Sequence, residues 1–398
     1  MKAKTLLALL LCAFMLLSVA ACAKTDAPAN TSEKPAESAE APSDGDSEPA
    51  PPVAETFDFD AAYAAFAPDD VVMTIDGTDV TWDEYYYYLF SAILDVQATT
   101  GELPDWSLPV DEGLSYTGYI VNSADENASI AGAFLRGARE LDVTLTDENR
   151  ADIALNIENA YNEYGGAEGF NAFLRENGCS FDVYDKISKI NMLAYNSFLA
   201  LYGESAVNVP DEDVAAQIAD SDYLMAKHIL VLTTKDDGSG YSVPMTDEEK
   251  AEARAKVDGI LAQLDAYAGD DFDALFDELM NANSEDTAGL ALNPNGYLFQ
   301  AYDMVTEFEE GTRALAVGSH SGVVETDYGF HIIYRLPVNY DVVPLAYQGY
   351  QAYTLRYISA QSMFTAQVDK WKSELVVENG AVYDSLNLAE IFKVAKAK

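Results

Sequence analysis

Three histidines, at positions 228, 320 and 331, are all that this 398-residue chain offers for acid, base or metal chemistry near neutral pH. A zinc site needs clustered Cys and His, and no such spacing occurs. A serine hydrolase needs Gly-x-Ser-x-Gly after a strand, whereas Gly238-Ser239-Gly240 reads as a turn. There is no glycine-rich phosphate loop and no dinucleotide fingerprint, so no cofactor is expected. With 67 Asp and Glu in the chain, carboxylate pairs fall everywhere and none stands out by itself. Two histidines do stand out. His228, in Ala226-Lys227-His228-Ile229-Leu230-Val231, and His331, in Tyr328-Gly329-Phe330-His331-Ile332-Ile333, each interrupt a strongly apolar strand. Taken singly, each reads as a satisfied core histidine; His320 reads as a surface turn residue.

The elements that must position them can be read from periodicity and capping. Residues 71–80 read as a strand, an Asp76-Gly77 turn and a return strand. Thr81-Trp82-Asp83-Glu84 is a capping-box pattern, with Thr81 expected to cap the Glu84 amide and launch a helix to about Gln97. Tyr85 to Tyr88 go all the way round that helix, and packing is their expected use. Further helices are expected over 129–141, 146–164, 167–177 and 181–202, with a short one from Val209. A strand follows over 223–232, then a turn-rich loop at 235–240. Next come helices over 246–267 and 272–280, and strands over 321–325 and 331–336. A helical pattern returns from about Gln348 to Leu375. The order predicts an α+β unit of about a hundred residues inserted between helical segments.

The two histidine strands, their separation and the elements between them resemble the parvulin family of peptidyl-prolyl isomerases. Phe276-Asp277-Glu278-Leu279 followed by Ser284-Glu285-Asp286-Thr287 is similar to the family's helix and active-site loop, where Asp or Cys stands at the place of Asp286. Gly318 to Gly322 and the run from Val323 to Gly329 are similar to its closing turn and strand. The resemblance implies a catalytic set of His228, Asp286 and His331. It also implies that Met304 and Phe308 wall a proline pocket, with Thr326 and Tyr328 completing the polar network. One departure is plain: the family's Gly-Gly-x-Leu-Gly stretch is replaced by Asn293-Pro294-Asn295-Gly296-Tyr297-Leu298, which alters the pocket floor. The outer segments, through Thr74 to Gly77, Thr81 to Glu84 and Gly169 to Gly178, resemble the helical chaperone domain of PrsA- and SurA-type foldases.

Composition sets the setting. Lys and Arg number 23 against 67 acids, giving a formal charge of −44 that repels phosphate backbones and excludes nucleic acid as a partner. Hydrophobic residues at 49% are too many for a disordered chain. Lys2 and Lys4, an apolar run from Thr5 to Ser18, and Val19-Ala20-Ala21-Cys22 read as a lipoprotein signal, with Cys22 the lipidated residue and the membrane anchor. The apolar run falls short of the roughly 20 residues a spanning helix needs. The expected organisation is a signal peptide over 1–21, a disordered Pro- and acid-rich tether over 22–56, a helical chaperone domain over 57–221, a parvulin-type domain over 222–338, and a C-terminal helical segment over 339–398 completing the chaperone domain. The expected protein is extracytoplasmic and lipid-anchored to a bacterial membrane. Its expected partners are unfolded or partly folded secreted proteins with X-Pro segments. Dimerisation through the helical region is left open, since no heptad run predicts it. An alternative is a non-catalytic holdase whose parvulin module only binds peptide. A solute-binding lipoprotein should show two α/β lobes, and only one is visible.

Overall fold

A computed structural model describes residues 56–106, 108–111, 113–348 and 353–395; the expected signal peptide, the expected lipidation site Cys22 and nearly all of the expected tether lie outside them. In chain order the elements begin with α1 (Phe59–Tyr63), β1 (Val71–Ile75), β2 (Thr78–Thr81), α2 (Trp82–Thr100), β3 (Pro109–Asp111), β4 (Leu114–Ser115), α3 (Tyr116–Glu140), α4 (Asp147–Glu163), α5 (Ala167–Glu176) and α6 (Phe181–Tyr202). Then come α7 (Asp211–Gln217), β5 (Leu224–Leu232), β6 (Thr234–Asp236), β7 (Ser242–Pro244), α8 (Asp247–Asp265), α9 (Phe272–Asn283) and α10 (Thr287–Leu292). The remainder is β8 (Tyr297–Phe299), α11 (Thr306–Arg313), β9 (His320–Glu325), β10 (Gly329–Leu336), α12 (Leu355–Ser373), β11 (Val377–Asn379), α13 (Ala381–Asp384) and α14 (Leu388–Ile391). The described residues divide into two compact units, one made of those up to 201 with those from 366 onward and the other of those between 202 and 365. Among the described residues no helix is long and apolar enough to cross a membrane.

The first unit is built from both ends of the chain. Its sheet runs β11-β1-β2, so the hairpin expected at 71–80 gains a third strand from the C-terminal region. Helix α2 is buried nearly all round, and its four tyrosines are packed. Tyr85 donates to Asp125 at 2.7 Å, Tyr86 to the Phe59 carbonyl at 2.9 Å and Tyr88 to Glu84 at 3.0 Å. On α12, Trp371 lies against Gly137, where an added Cβ would fall 2.5 Å from the indole, and donates to Glu140 at 2.9 Å.

Three sequence expectations need correction here. Thr81 stands at the N-cap of α2 but makes no side-chain cap bond. Glu84, the partner the capping box requires, is buried and drawn to Lys186 at 2.6 Å instead. Helix α3 starts at Tyr116, not 129, because the Ser115 hydroxyl caps the Gly118 amide at 3.1 Å; its buried face before 129 is Ile120, Ala124 and Ala128, a weak hydrophobic signal. Helix α12 starts at Leu355 rather than Gln348, with the Thr354 hydroxyl accepting from the Tyr357 amide at 3.2 Å.

The second unit is an antiparallel sheet in the order β8-β5-β10-β9. Side chains alternate across β5 and β10. Ile229, Val231, Phe330, Ile332 and Tyr334 face α8 and α9 in one core cluster. Leu224, Ala226 and Ile333 face α11 in another, with Tyr297, Phe299 and Phe308. The register pairs Ile333 with His228 and His331 with Leu230, so both histidines lie on the α11 side of the sheet. Strand β8 and helix α11, which complete that side, were not read from the sequence.

Candidate active site

The histidines reach each other because β5 and β10 are neighbours. Their rings stack with centroids 5.2 Å apart, and the two Nδ1 atoms lie 3.0 Å apart. Both residues are 4% exposed, so each ring nitrogen needs a partner, and each has one. His228 Nε2 lies 2.9 Å from Asp286 Oδ2, and His331 Nε2 lies 2.9 Å from Thr326 Oγ1. The Tyr328 amide donates to that same Thr326 oxygen at 3.1 Å.

Asp286 arrives from the turn after α9 and caps α10, its Oδ1 accepting from the Gly289 amide at 3.1 Å. Its Oδ2 also accepts a short hydrogen bond from the Tyr297 hydroxyl. The hydrogen bond from His228 holds the Asp286 carboxyl down to about 2 against the effect of burial, with Tyr297 and Gly289 adding to it. Burial pushes the His331 imidazole down to about 3, with His228 adding to the shift and Asp286 opposing it. Burial raises the Tyr297 phenol, and its bond to Asp286 raises it further.

An ionised Asp286 only accepts, so His228 donates through Nε2–H. The two Nδ1 atoms face each other, so one donates and the other accepts. The network thus links the Tyr328 amide, through Thr326, His331 and His228, to the Asp286 carboxylate.

Above this polar floor lies an apolar wall. Phe308, 1% exposed, points its ring edge-on to His228 at 5.2 Å and to His331 at 5.6 Å. Met304 is half-buried in the same cluster. The structure therefore brings His228, Asp286, His331 and Thr326 into one hydrogen-bonded chain beside Phe308 and Met304. It leaves the Tyr328 side chain 58% exposed, so that residue joins the network through its backbone alone. Among the described residues no three His, Cys, Asp or Glu are placed to hold a metal.

Two site residues escaped the sequence reading, Tyr297 and Gly289. A Cβ added at Gly289 would fall 1.8 Å from the Tyr297 hydroxyl and 2.4 Å from Asp286 Oδ2, so only glycine leaves room for that contact. A signal was present for Tyr297. Asn293-Pro294-Asn295-Gly296 is a turn, and the alternation after it puts Tyr297 and Phe299 on one face of a strand.

The fold and this network define the class. Residues 214–336 match the family model of the PPIC-type PPIase domain, so this part of the chain is a domain of the parvulin type. Over a longer stretch the chain is similar to foldases. It is 29% identical to the foldase protein PrsA of Staphylococcus epidermidis over 183 residues, 46% of this chain and 50% of that protein. It is 25% identical to the foldase protein PrsA of Clostridium perfringens over 236 residues, 58% of this chain and 63% of that one. The chain thus spans about half to two thirds of the length of these curated relatives. A solved structure titled peptidylprolyl isomerase (PrsA) from Bacillus cereus is 19% identical, with 72% of this chain and 98% of that chain covered at a TM-score of 0.26.

Proposed function

We propose that this protein is an extracytoplasmic peptidyl-prolyl cis/trans isomerase and chaperone, held to the membrane by a lipidated Cys22, that assists the folding of secreted proteins. Its substrates are X-Pro segments of unfolded or partly folded chains. The helical region over 57–221 and 339–398 holds the client, and the domain over 222–338 acts on the prolyl bond.

The observation that carries this reading is the His228–His331 pair tied to Asp286 beneath Phe308 and Met304. Rotation about a peptide bond is slowed by amide resonance, a barrier of about 18–20 kcal/mol, and lowering it needs neither nucleophile nor metal. A pocket helps when it grips the proline ring in an apolar cup and favours the twisted amide over the planar one. Phe308 and Met304 form the cup. The histidines, being locked to Asp286 and Thr326, organise the floor and carry no proton to the substrate.

Protease-coupled isomerisation of X-Pro tetrapeptides, with the chain from Ala23 onward, tests this. Acceleration is expected, with a loss of tenfold or more in Asp286→Ala. Full activity in both Asp286→Ala and His228→Ala would sink the assignment. The holdase reading draws support from the engagement of both Asp286 oxygens by His228, Tyr297 and Gly289, which leaves the carboxylate little capacity for a substrate. That reading requires suppression of client aggregation with no acceleration of isomerisation.

A further inference from the structure

The loop leading from β8 to Met304 carries a tyrosine in a costly conformation. Gln300 to Asp303 form a β-turn closed by the Asp303 amide donating to the Gln300 carbonyl at 3.2 Å, while the Asp303 carboxylate accepts from the Gln300 amide at 2.8 Å. Tyr302 is third in this turn, with φ of +73°. Turns of that shape take glycine or asparagine there, because a Cβ at positive φ crowds the following carbonyl. A bulky side chain in that position is an outlier. Burial does nothing to offset the cost, since Tyr302 is 98% exposed.

The conformation is nonetheless braced. The Tyr302 amide donates to Glu309 Oε2 at 3.0 Å, and Arg313 holds Glu309 Oε1 at 2.9 Å. Arg313 is fixed in turn by Asp222 at 2.5 Å. The turn is also tied to the site at both ends. It follows Phe299, whose ring lies 5.9 Å from that of Phe308, and it precedes Met304 by one residue. A braced, strained and exposed aromatic two residues before Met304 in the chain is a feature to be explained by function.

We propose that Tyr302 is a specificity-determining residue of this site, stacking on an aromatic or large apolar side chain next to the proline of a bound client segment. The inference rests on the peptide-binding reading given above and adds the class of segment preferred. An unfolded secreted chain exposes the aromatic residues that its folded form buries, and two π faces in contact stack favourably.

The test compares X-Pro peptides carrying Phe or Ala beside the proline, with the full mature chain and with Tyr302→Gly and Tyr302→Phe. Tyr302→Gly removes both ring and strain. Its thermal midpoint is expected to rise by about 2–4 °C. Its KM for the Phe peptide is expected to rise about three- to tenfold, the range that aromatic pairing supports, with a smaller change in kcat and less than a twofold change in KM for the Ala peptide. Tyr302→Phe should keep the wild-type preference. An equal KM shift on both peptides, or none on either, overturns the proposal. Fluorescence anisotropy of the same peptides, labelled, reads binding separately from turnover. A wild-type chain without turnover would overturn the isomerase reading alone, whereas wild type and Tyr302→Gly binding the two peptides alike would overturn this one.

Discussion

Asp286 accepts three hydrogen bonds with two oxygens, and the residues that supply them decide whether its carboxylate stays where the histidines need it. Tyr297→Phe removes one donor without changing the volume. A hydrogen bond to a charged group contributes about 1.5–3 kcal/mol, so the second unit should lose that much stability, read by urea unfolding. The Asp286 carboxyl should then titrate above its present value of about 2, which carbon-detected NMR would follow. Gly289→Ala should do more harm, because its Cβ would overlap the Tyr297 hydroxyl and force either Tyr297 or Asp286 aside. An unmoved Asp286 titration in both variants would refute the role given to Tyr297. His228 and His331 were conspicuous in the sequence because each is a polar residue in an apolar strand, whereas Asp286, one of 67 acids, was singled out only by the family resemblance. Tyr297 was not, since its partner lies eleven residues back and the contact exists only once α10 has turned the chain. Tyr328, beside Thr326 in the chain, reaches the network through its amide while its side chain stays exposed.

At the scale of elements, the same sequence signature gives two different structures. Thr246-Asp247-Glu248-Glu249 forms the full capping box of α8, with the Thr246 hydroxyl accepting from the Glu249 amide at 3.3 Å and Glu249 returning to the Thr246 amide at 2.7 Å. Thr81-Trp82-Asp83-Glu84 does not, because the Glu84 carboxylate is engaged by Lys186 and Tyr88 inside the first unit. Tertiary partners, invisible to a four-residue pattern, decide between them. Thr246→Ala should therefore cost about 0.5–2 kcal/mol, while Thr81→Ala should cost a few tenths at most. Trp82, Trp106 and Trp371 all lie in the first unit, so tryptophan fluorescence during urea unfolding follows Thr81→Ala, and far-UV circular dichroism follows Thr246→Ala. Equal losses would mean that the Thr81 hydroxyl matters in a way its contacts do not reveal. The strand register rests on burial rather than on caps. A slip of one residue between β5 and β10 would carry the histidines to the α8 and α9 side and expose apolar residues, so the hydrophobic pattern alone specifies it.

For the whole molecule, the sequence order already required the α+β unit to interrupt a helical one. What it did not display is how the ends are joined: β11 pairs with β1, and Arg136 bridges Asp76 at 2.9 Å and Glu374 at 3.2 Å. Such pairing joins residues some 300 positions apart, beyond the reach of any local pattern. Charge acts at this scale too. Even if each of the 23 Lys and Arg were paired with an acid, 44 carboxylates would remain without a cationic partner. Exposed ion pairs contribute about 0–1 kcal/mol each and weaken with salt, whereas repulsion among the surplus carboxylates destabilises the compact state and also weakens with salt. The surplus is the larger population, so screening should stabilise the fold. Raising NaCl from about 10 mM to about 150 mM shortens the Debye length from about 30 Å to about 8 Å. The thermal midpoint followed by circular dichroism should rise over that range. A fall would show that the ion pairs outweigh the repulsion, and that the acidic surface is neutralised locally rather than acting as one field.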